Sequence, residues 1–116
     1  MSQSVTIYHN PACGTSRKTL ELLRERGYAP TVVEYLKTGW TRPQLEGLLK
    51  KMGATPRDIL RPKETAEFGL DAASSDDAIL DAMVAHPILV NRPIVETPTG
   101  ARLGRPMEVV LEVLEG

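Results

Sequence analysis

Cys13 is the sole cysteine of a 116-residue chain and stands in the run His9-Asn10-Pro11-Ala12-Cys13-Gly14-Thr15-Ser16-Arg17. A thiol at a helix N-terminus faces unpaired backbone N–H groups and the positive end of the helix dipole, and both favour the thiolate, the nucleophilic form. His9 and Arg17 offer positive charge close by in sequence. The competing reading is a buried, inert cysteine, since free Cys is among the most buried residue types. Pro, Gly, Ser, Thr and Arg on either side argue against an apolar pocket. Cys13-Gly14-Thr15-Ser16 is a C-x-x-S sequence, a dithiol redox motif whose second thiol has become a hydroxyl. An adduct formed at Cys13 must therefore be resolved by a thiol from another molecule, or by water. Ser16 is placed to donate a hydrogen bond to the sulfur, to cap the helix, or to do both.

A second set of residues is arginine fixed beside proline: Leu60-Arg61-Pro62, Asn91-Arg92-Pro93 and Gly104-Arg105-Pro106. A guanidinium on stiff backbone loses less entropy on meeting an oxyanion, and its planar fork matches tetrahedral oxyanions bidentately. Arg105 also falls before the last helical pattern, where a helix N-terminus favours anions. Taken singly, each arginine reads first as a solvated surface charge, and spacing alone does not bring the three to Cys13. A thiolate phosphatase of the Cys-x5-Arg type is excluded, because position 19 is Thr19. His9 reads as a charge partner, a general acid or a loop histidine. His86, ahead of Pro87, reads as a turn or core residue and Trp40 as packing.

The elements that must position these groups follow from periodicity. Val5-Thr6-Ile7-Tyr8 and Thr31-Val32-Val33-Glu34-Tyr35 read as strands, and Lys18 to Arg26 as a helix that Gly27 closes. Lys37-Thr38-Gly39-Trp40 reads as a loop, and Thr41-Arg42-Pro43-Gln44 has the capping-box pattern. Leu45, Leu48, Leu49 and Met52 then form the stripe of an amphipathic helix ending at Gly53. Pro56, Pro62 and Gly69 break Thr55–Ala73 into short helical turns, and Ser75-Asp76-Asp77 starts another helix that stops before His86-Pro87. Pro93–Thr97 and Ala101–Leu103, joined by Pro98-Thr99-Gly100, form a hairpin. A last helix near Pro106 carries Val109, Val110, Val113 and Leu114 on one face. The expected architecture is α/β: a thioredoxin-like mixed sheet flanked by helices, with a helical insertion between strand 2 and the C-terminal hairpin, all in one domain over residues 1–116.

Fourteen basic and fifteen acidic residues, interspersed, give a formal charge of −1 and no footprint for nucleic acid or a membrane surface. There is no signal-peptide pattern and no apolar run of membrane-spanning length. One cysteine excludes an internal disulfide and any Cys-rich metal site within the chain, and a reactive free thiol suits a reducing, cytoplasmic setting.

His9 to Arg17 (HNPACGTSR), Asp58 to Arg61 (DILR), His86 to Val95 (HPILVNRPIV) and Arg102 to Glu108 (RLGRPME) together resemble the glutaredoxin-coupled arsenate reductases over nearly the whole chain. The resemblance implies Cys13 as nucleophile, Arg61, Arg92 and Arg105 as an oxyanion-binding trio, and a cis peptide bond before Pro93. It further implies that His9 depresses the Cys13 pKa and that Ser16 supports the thiolate. The implied reaction reduces arsenate to arsenite, with glutathione as reducing cosubstrate, glutaredoxin as protein partner, no tightly bound cofactor or metal, and a monomeric, cytoplasmic enzyme of arsenical detoxification. Two other readings belong beside it: a thioredoxin-like redox regulator that binds RNA polymerase, and a monothiol glutaredoxin-like thiol transferase. The regulators of this wider family commonly carry C-x-x-C, from which Ser16 departs.

Overall fold

The computed structural model describes residues 4–62 and 65–114. Two compact units divide the chain, one made of Met1–Tyr35 with Arg92–Gly116, the other of Leu36–Asn91. The second is a continuous, largely helical insertion between the two halves of the first, where the sequence places one.

The first unit is built on a four-stranded sheet of order β2-β1-β3-β4, from β1 (Thr6–Tyr8), β2 (Thr31–Val33), β3 (Ile94–Thr97) and β4 (Gly100–Leu103). β1 pairs parallel with β2 and antiparallel with β3, which pairs antiparallel with β4. The parallel pair is joined through helix α1 (Gly14–Glu25), as parallel strands require. Ser16, Thr19 and Leu23 form its buried face. Leu23 packs with Val5, Ile7, Val95 and Val110 in a core that Leu20, Leu22, Tyr28 and Leu114 flank. Each such aliphatic side chain contributes about 1.5–3 kcal/mol on full burial. Gly27, at φ +86°, takes the left-handed turn that ends α1. This mixed sheet with helices is the thioredoxin-like arrangement anticipated from sequence.

Several elements differ from the sequence reading. β2 stops at Val33, because its neighbour β1 stops at Tyr8 and the last ladder bond runs from His9 N–H to the Val33 carbonyl, 2.8 Å. Tyr35–Thr38 is instead a one-turn helix, α2. Gly100 is the first residue of β4, paired with Thr97, so the hairpin loop is Pro98-Thr99 alone. The last segment, Met107–Val113, is a 3-10 helix rather than an α-helix. Its three β-branched valines are poor α-formers. Its final carbonyl, that of Val113, accepts from the Thr97 and Thr99 hydroxyls at 2.8 and 2.9 Å.

The second unit follows its sequence signals closely. Helix α3 (Arg42–Met52) begins with the capping box: Thr41 Oγ1 accepts from Gln44 N–H at 3.2 Å, and Gln44 Oε1 accepts from Thr41 N–H at 3.4 Å. Leu45, Leu48 and Leu49 are buried, and Gly53 at φ +65° closes the helix. Pro56–Ile59 and Ala66–Phe68 are the short 3-10 turns expected between proline and glycine breaks. Helix α4 (Asp76–Ala85) is capped by Ser75 and buries Ile79, Leu80 and Met83. Arg42 ties α3 to α4 through Asp77 and Asp81. Trp40 is buried. Among the described residues no helix is long and apolar enough to cross a membrane.

Candidate active site

Asn10 shapes the loop that delivers the thiol. Its side-chain oxygen accepts from Ala12 N–H at 2.9 Å and its carbonyl accepts from Cys13 N–H at 3.0 Å, a turn typical of Asn-Pro. Cys13 then takes the N-cap position of α1 in extended backbone geometry, and its carbonyl accepts the first helical bond, from Arg17 N–H at 3.0 Å. The sulfur is therefore held at the first turn of the helix and remains partly accessible.

Two arginines from the C-terminal half of the same unit meet it. Arg105 Nη2 lies 3.4 Å from Cys13 Sγ, while its Nε donates to the Arg92 carbonyl at 2.7 Å. Arg92, only 6% exposed, directs its guanidinium both to the Cys13 sulfur and to the Tyr35 hydroxyl. Both arginines precede proline, and both Arg-Pro bonds are cis. That before Pro93 matches the sequence reading; that before Pro106 is additional. Burial alone would raise the Cys13 pKa. The backbone N–H of Ser16, the hydrogen bond from Arg92 and the charges of Arg105 and Arg92 outweigh it, so the thiol is pulled below its ordinary value. Tyr35, fully buried, is pushed by that burial up to about 12 and stays protonated.

Two expectations, for the Ser16 hydroxyl and for Arg105, are corrected by this geometry. The Ser16 group that faces the sulfur is its backbone N–H. Its hydroxyl instead lies 2.6 Å from His9 Nδ1 and accepts from Asn10 N–H at 3.1 Å, and the helix cap is Cys13 itself. Burial lowers the His9 pKa from its ordinary value, with Arg24 and Arg17 adding to the effect against Glu34. Arg17 donates to the Pro11 carbonyl at 2.8 Å and so braces the loop. Arg105 precedes a 3-10 segment, so its place is fixed by the Arg92 carbonyl and not by an α-helix dipole. His86 is a solvent-exposed turn residue whose ring lies 4.4 Å from that of Phe68.

Arg61 belongs to the second unit. It follows the Pro56–Ile59 turn, its N–H donates to the Leu89 carbonyl at 2.8 Å, and its carbonyl accepts from Thr65 Oγ1 at 3.1 Å. The antiparallel bridge between Leu60 and Val90 fixes this edge. Tyr35 escaped the sequence reading because it counted only as the end of a strand. Gly104 escaped it too: a Cβ there would meet Pro93 Cγ at 3.0 Å and Val110 Cγ1 at 3.2 Å. The Asn10-Pro11 dipeptide was the one available signal for the turn. No group of three or more His, Cys, Asp or Glu side chains fit to hold a metal occurs among the described residues. A thiolate flanked by two guanidinium groups is suited to hold an anion against a nucleophile.

Comparison with known proteins gives the chain a family. The model of the ArsC family matches residues 8–113. An arsenate reductase of Rhizobium meliloti is 56% identical over 114 residues, covering 96% of this chain and 81% of that protein. One of Escherichia coli is 53% identical over the same shares. The solved structure of an arsenate reductase from Vibrio cholerae superposes with a TM-score of 0.88 at 43% identity, covering 98% of this chain and 100% of that one. With its fold and nearly its full length matched in this way, the chain belongs to the ArsC family.

Proposed function

We propose that this protein is an arsenate reductase that works through a covalent Cys13–arsenic adduct resolved by external thiols. The observation that carries the reading is the meeting of Arg92 and Arg105 at the Cys13 sulfur. Relatives at 53–56% identity bearing that activity support it. Arsenate is a tetrahedral dianion near neutral pH, complementary to paired guanidinium forks. Arg92 and Arg105 hold its oxygens, with Arg61 proposed as the third fork. The Cys13 thiolate then attacks arsenic, and a protonated oxygen leaves as water. The arginines neutralise charge that builds on the remaining oxygens, which is where preorganised donors lower a barrier most.

Cys13 has no resolving partner in the chain. Glutathione supplies the next thiolate, displacing a second oxygen from arsenic as water. The glutaredoxin thiolate then takes the glutathione sulfur as a mixed disulfide, leaving the As–S electron pair on arsenic. One water cleaves the Cys13–arsenic bond to release arsenite and the free Cys13 thiol. Overall, arsenate and two thiols become arsenite, one disulfide and one water, so the two electrons come from the external thiols. A coupled assay with arsenate, glutathione and glutaredoxin tests this. Turnover is expected in the wild type and should vanish without glutathione or in Cys13→Ser. A Cys13→Ser protein with full turnover would overturn the proposal.

A further inference from the structure

A cavity of about 250 Å³ opens beside α1, lined by His9, Pro11, Arg17, Leu20, Glu21 and Arg24. Its helical residues stand four, seven, eight and eleven positions after Cys13, so they share one face of α1 over successive turns, and Pro11 in the lining belongs to the loop that carries Cys13. Side chains on a helix lean toward its N-terminus, here toward Cys13. Arg17 joins the two places: its Nη2 would lie 3.8 Å from a Cβ on Gly14, the residue next to Cys13, while its Nη1 donates to Pro11. The wall of the cavity includes His9, 6% exposed, toward which the charges of both Arg24 and Arg17 are felt.

The lining has a definite chemistry. Two arginines and one glutamate line it beside His9, and Leu20 gives an apolar patch. Its net charge is +1, with both signs present. That complements a small zwitterion carrying two carboxylates and one ammonium. The chemistry described above gives Arg17, Leu20, Glu21 and Arg24 no role at the sulfur, so it leaves the cavity unassigned.

We propose that this cavity is the docking subsite for the reducing thiol, a cysteinyl peptide of net negative charge. Arg17 and Arg24 hold its carboxylates, Glu21 holds its ammonium, and its sulfur is presented at the Cys13 end of the groove. The proposal rests on the reading that an external thiol resolves Cys13.

Two measurements on the full chain test it separately from that reading. In the coupled assay, Arg24→Gln should raise the KM for glutathione about tenfold, the worth of one well-placed charged hydrogen bond. Its KM for arsenate, and its turnover with the uncharged thiol mercaptoethanol, should equal those of the wild type. Glu21→Lys should also raise the KM for glutathione. An unchanged glutathione KM in both variants overturns the proposal. Amide chemical-shift titration with glutathione, without arsenate, reads binding independently of turnover. Shifts gathered at Leu20, Glu21 and Arg24, and abolished when glutathione is replaced by its diethyl ester, support the subsite even if arsenate turnover fails. Shifts gathered elsewhere, or equal for the ester, overturn it even if turnover succeeds.

Discussion

Arg105 reaches Cys13 across 92 positions of sequence, Nη2 to Sγ at 3.4 Å, and does so while its Nε is pinned to the Arg92 carbonyl. One guanidinium thereby fixes its neighbour's backbone and stabilises the sulfur anion at once. Removing its charge should raise the Cys13 pKa. Thiolate, and with it activity, is present above the folded pKa and lost as pH falls through it. In Arg105→Ala the rising limb of the rate profile should therefore move to higher pH, and ultraviolet titration of the thiolate should show the same displacement.

Arg92→Lys keeps the charge but loses the fork that spans Cys13 and Tyr35. A charge-assisted hydrogen bond is worth about 1.5–3 kcal/mol, so kcat/KM for arsenate should fall roughly 10- to 100-fold. Unfolding measured alongside separates this from loss of fold. Kinetics equal to the wild type would show that charge alone suffices at this position.

Tyr35→Phe removes the hydroxyl that the Arg92 guanidinium meets inside the first unit. A buried donor left short of an acceptor costs about 1–3 kcal/mol. We expect a lower unfolding midpoint together with a fall of about five- to tenfold in kcat/KM for arsenate, since Arg92 loses one of the contacts that aim it. A stability loss with unchanged arsenate kinetics would reduce Tyr35 to a core residue.

The thiol loop and the second unit were legible because local chemistry governs them. Thr41 and Gln44 cap each other, Ser75 caps α4, and Gly27 and Gly53 each take the left-handed turn that follows their helix. Cys13 could be placed at a helix start from its neighbours alone. What sequence did not disclose is long-range. The end of β2 depends on where β1 runs out, and the 3-10 form of Met107–Val113 goes with clasps from Thr97 and Thr99. The partition of Ser16, backbone to sulfur and hydroxyl to His9, is a matter of which way a helix faces. Motif logic names the residue but not the atom.

That partition gives a test. Ser16→Ala deletes the hydroxyl between His9 and Asn10 but leaves the backbone N–H that faces the sulfur. The expected result is a loss of about 1–3 kcal/mol in unfolding free energy, with the Cys13 titration scarcely moved. A thiol pKa that rises as far as in Arg105→Ala would return the hydroxyl to the sulfur.

His9 predicts an acid sensitivity of known sign. Its folded pKa lies below the unfolded value near 6.5, through burial first and then Arg24 and Arg17. Between those two values the unfolded chain binds more protons, so stability rises with pH across that window. As pH falls below about 6.5 the protein should lose at most about 1.4 kcal/mol per pH unit from this group. Denaturant melts from pH 5 to 7 should show the slope, and His9→Gln should flatten it.

Gly104 joins packing to the site. Its N–H donates to the Pro93 carbonyl at 2.8 Å, and a side chain there would press on Pro93 at 3.0 Å and Val110 at 3.2 Å. Val110 is fully buried in the core under α1, so it has little room to yield. Pro93 follows Arg92 directly, and Gly104 precedes Arg105, so strain at this contact acts on both guanidinium groups. Gly104→Ala should cost about 1–3 kcal/mol by overpacking. It should also raise the Cys13 pKa as the forks shift from the sulfur. Val110→Ala in the same chain supplies space on one side and should recover part of the thiol shift while lowering stability further by cavity formation. Recovery of the thiol titration without recovery of stability is the outcome that a purely structural glycine does not produce.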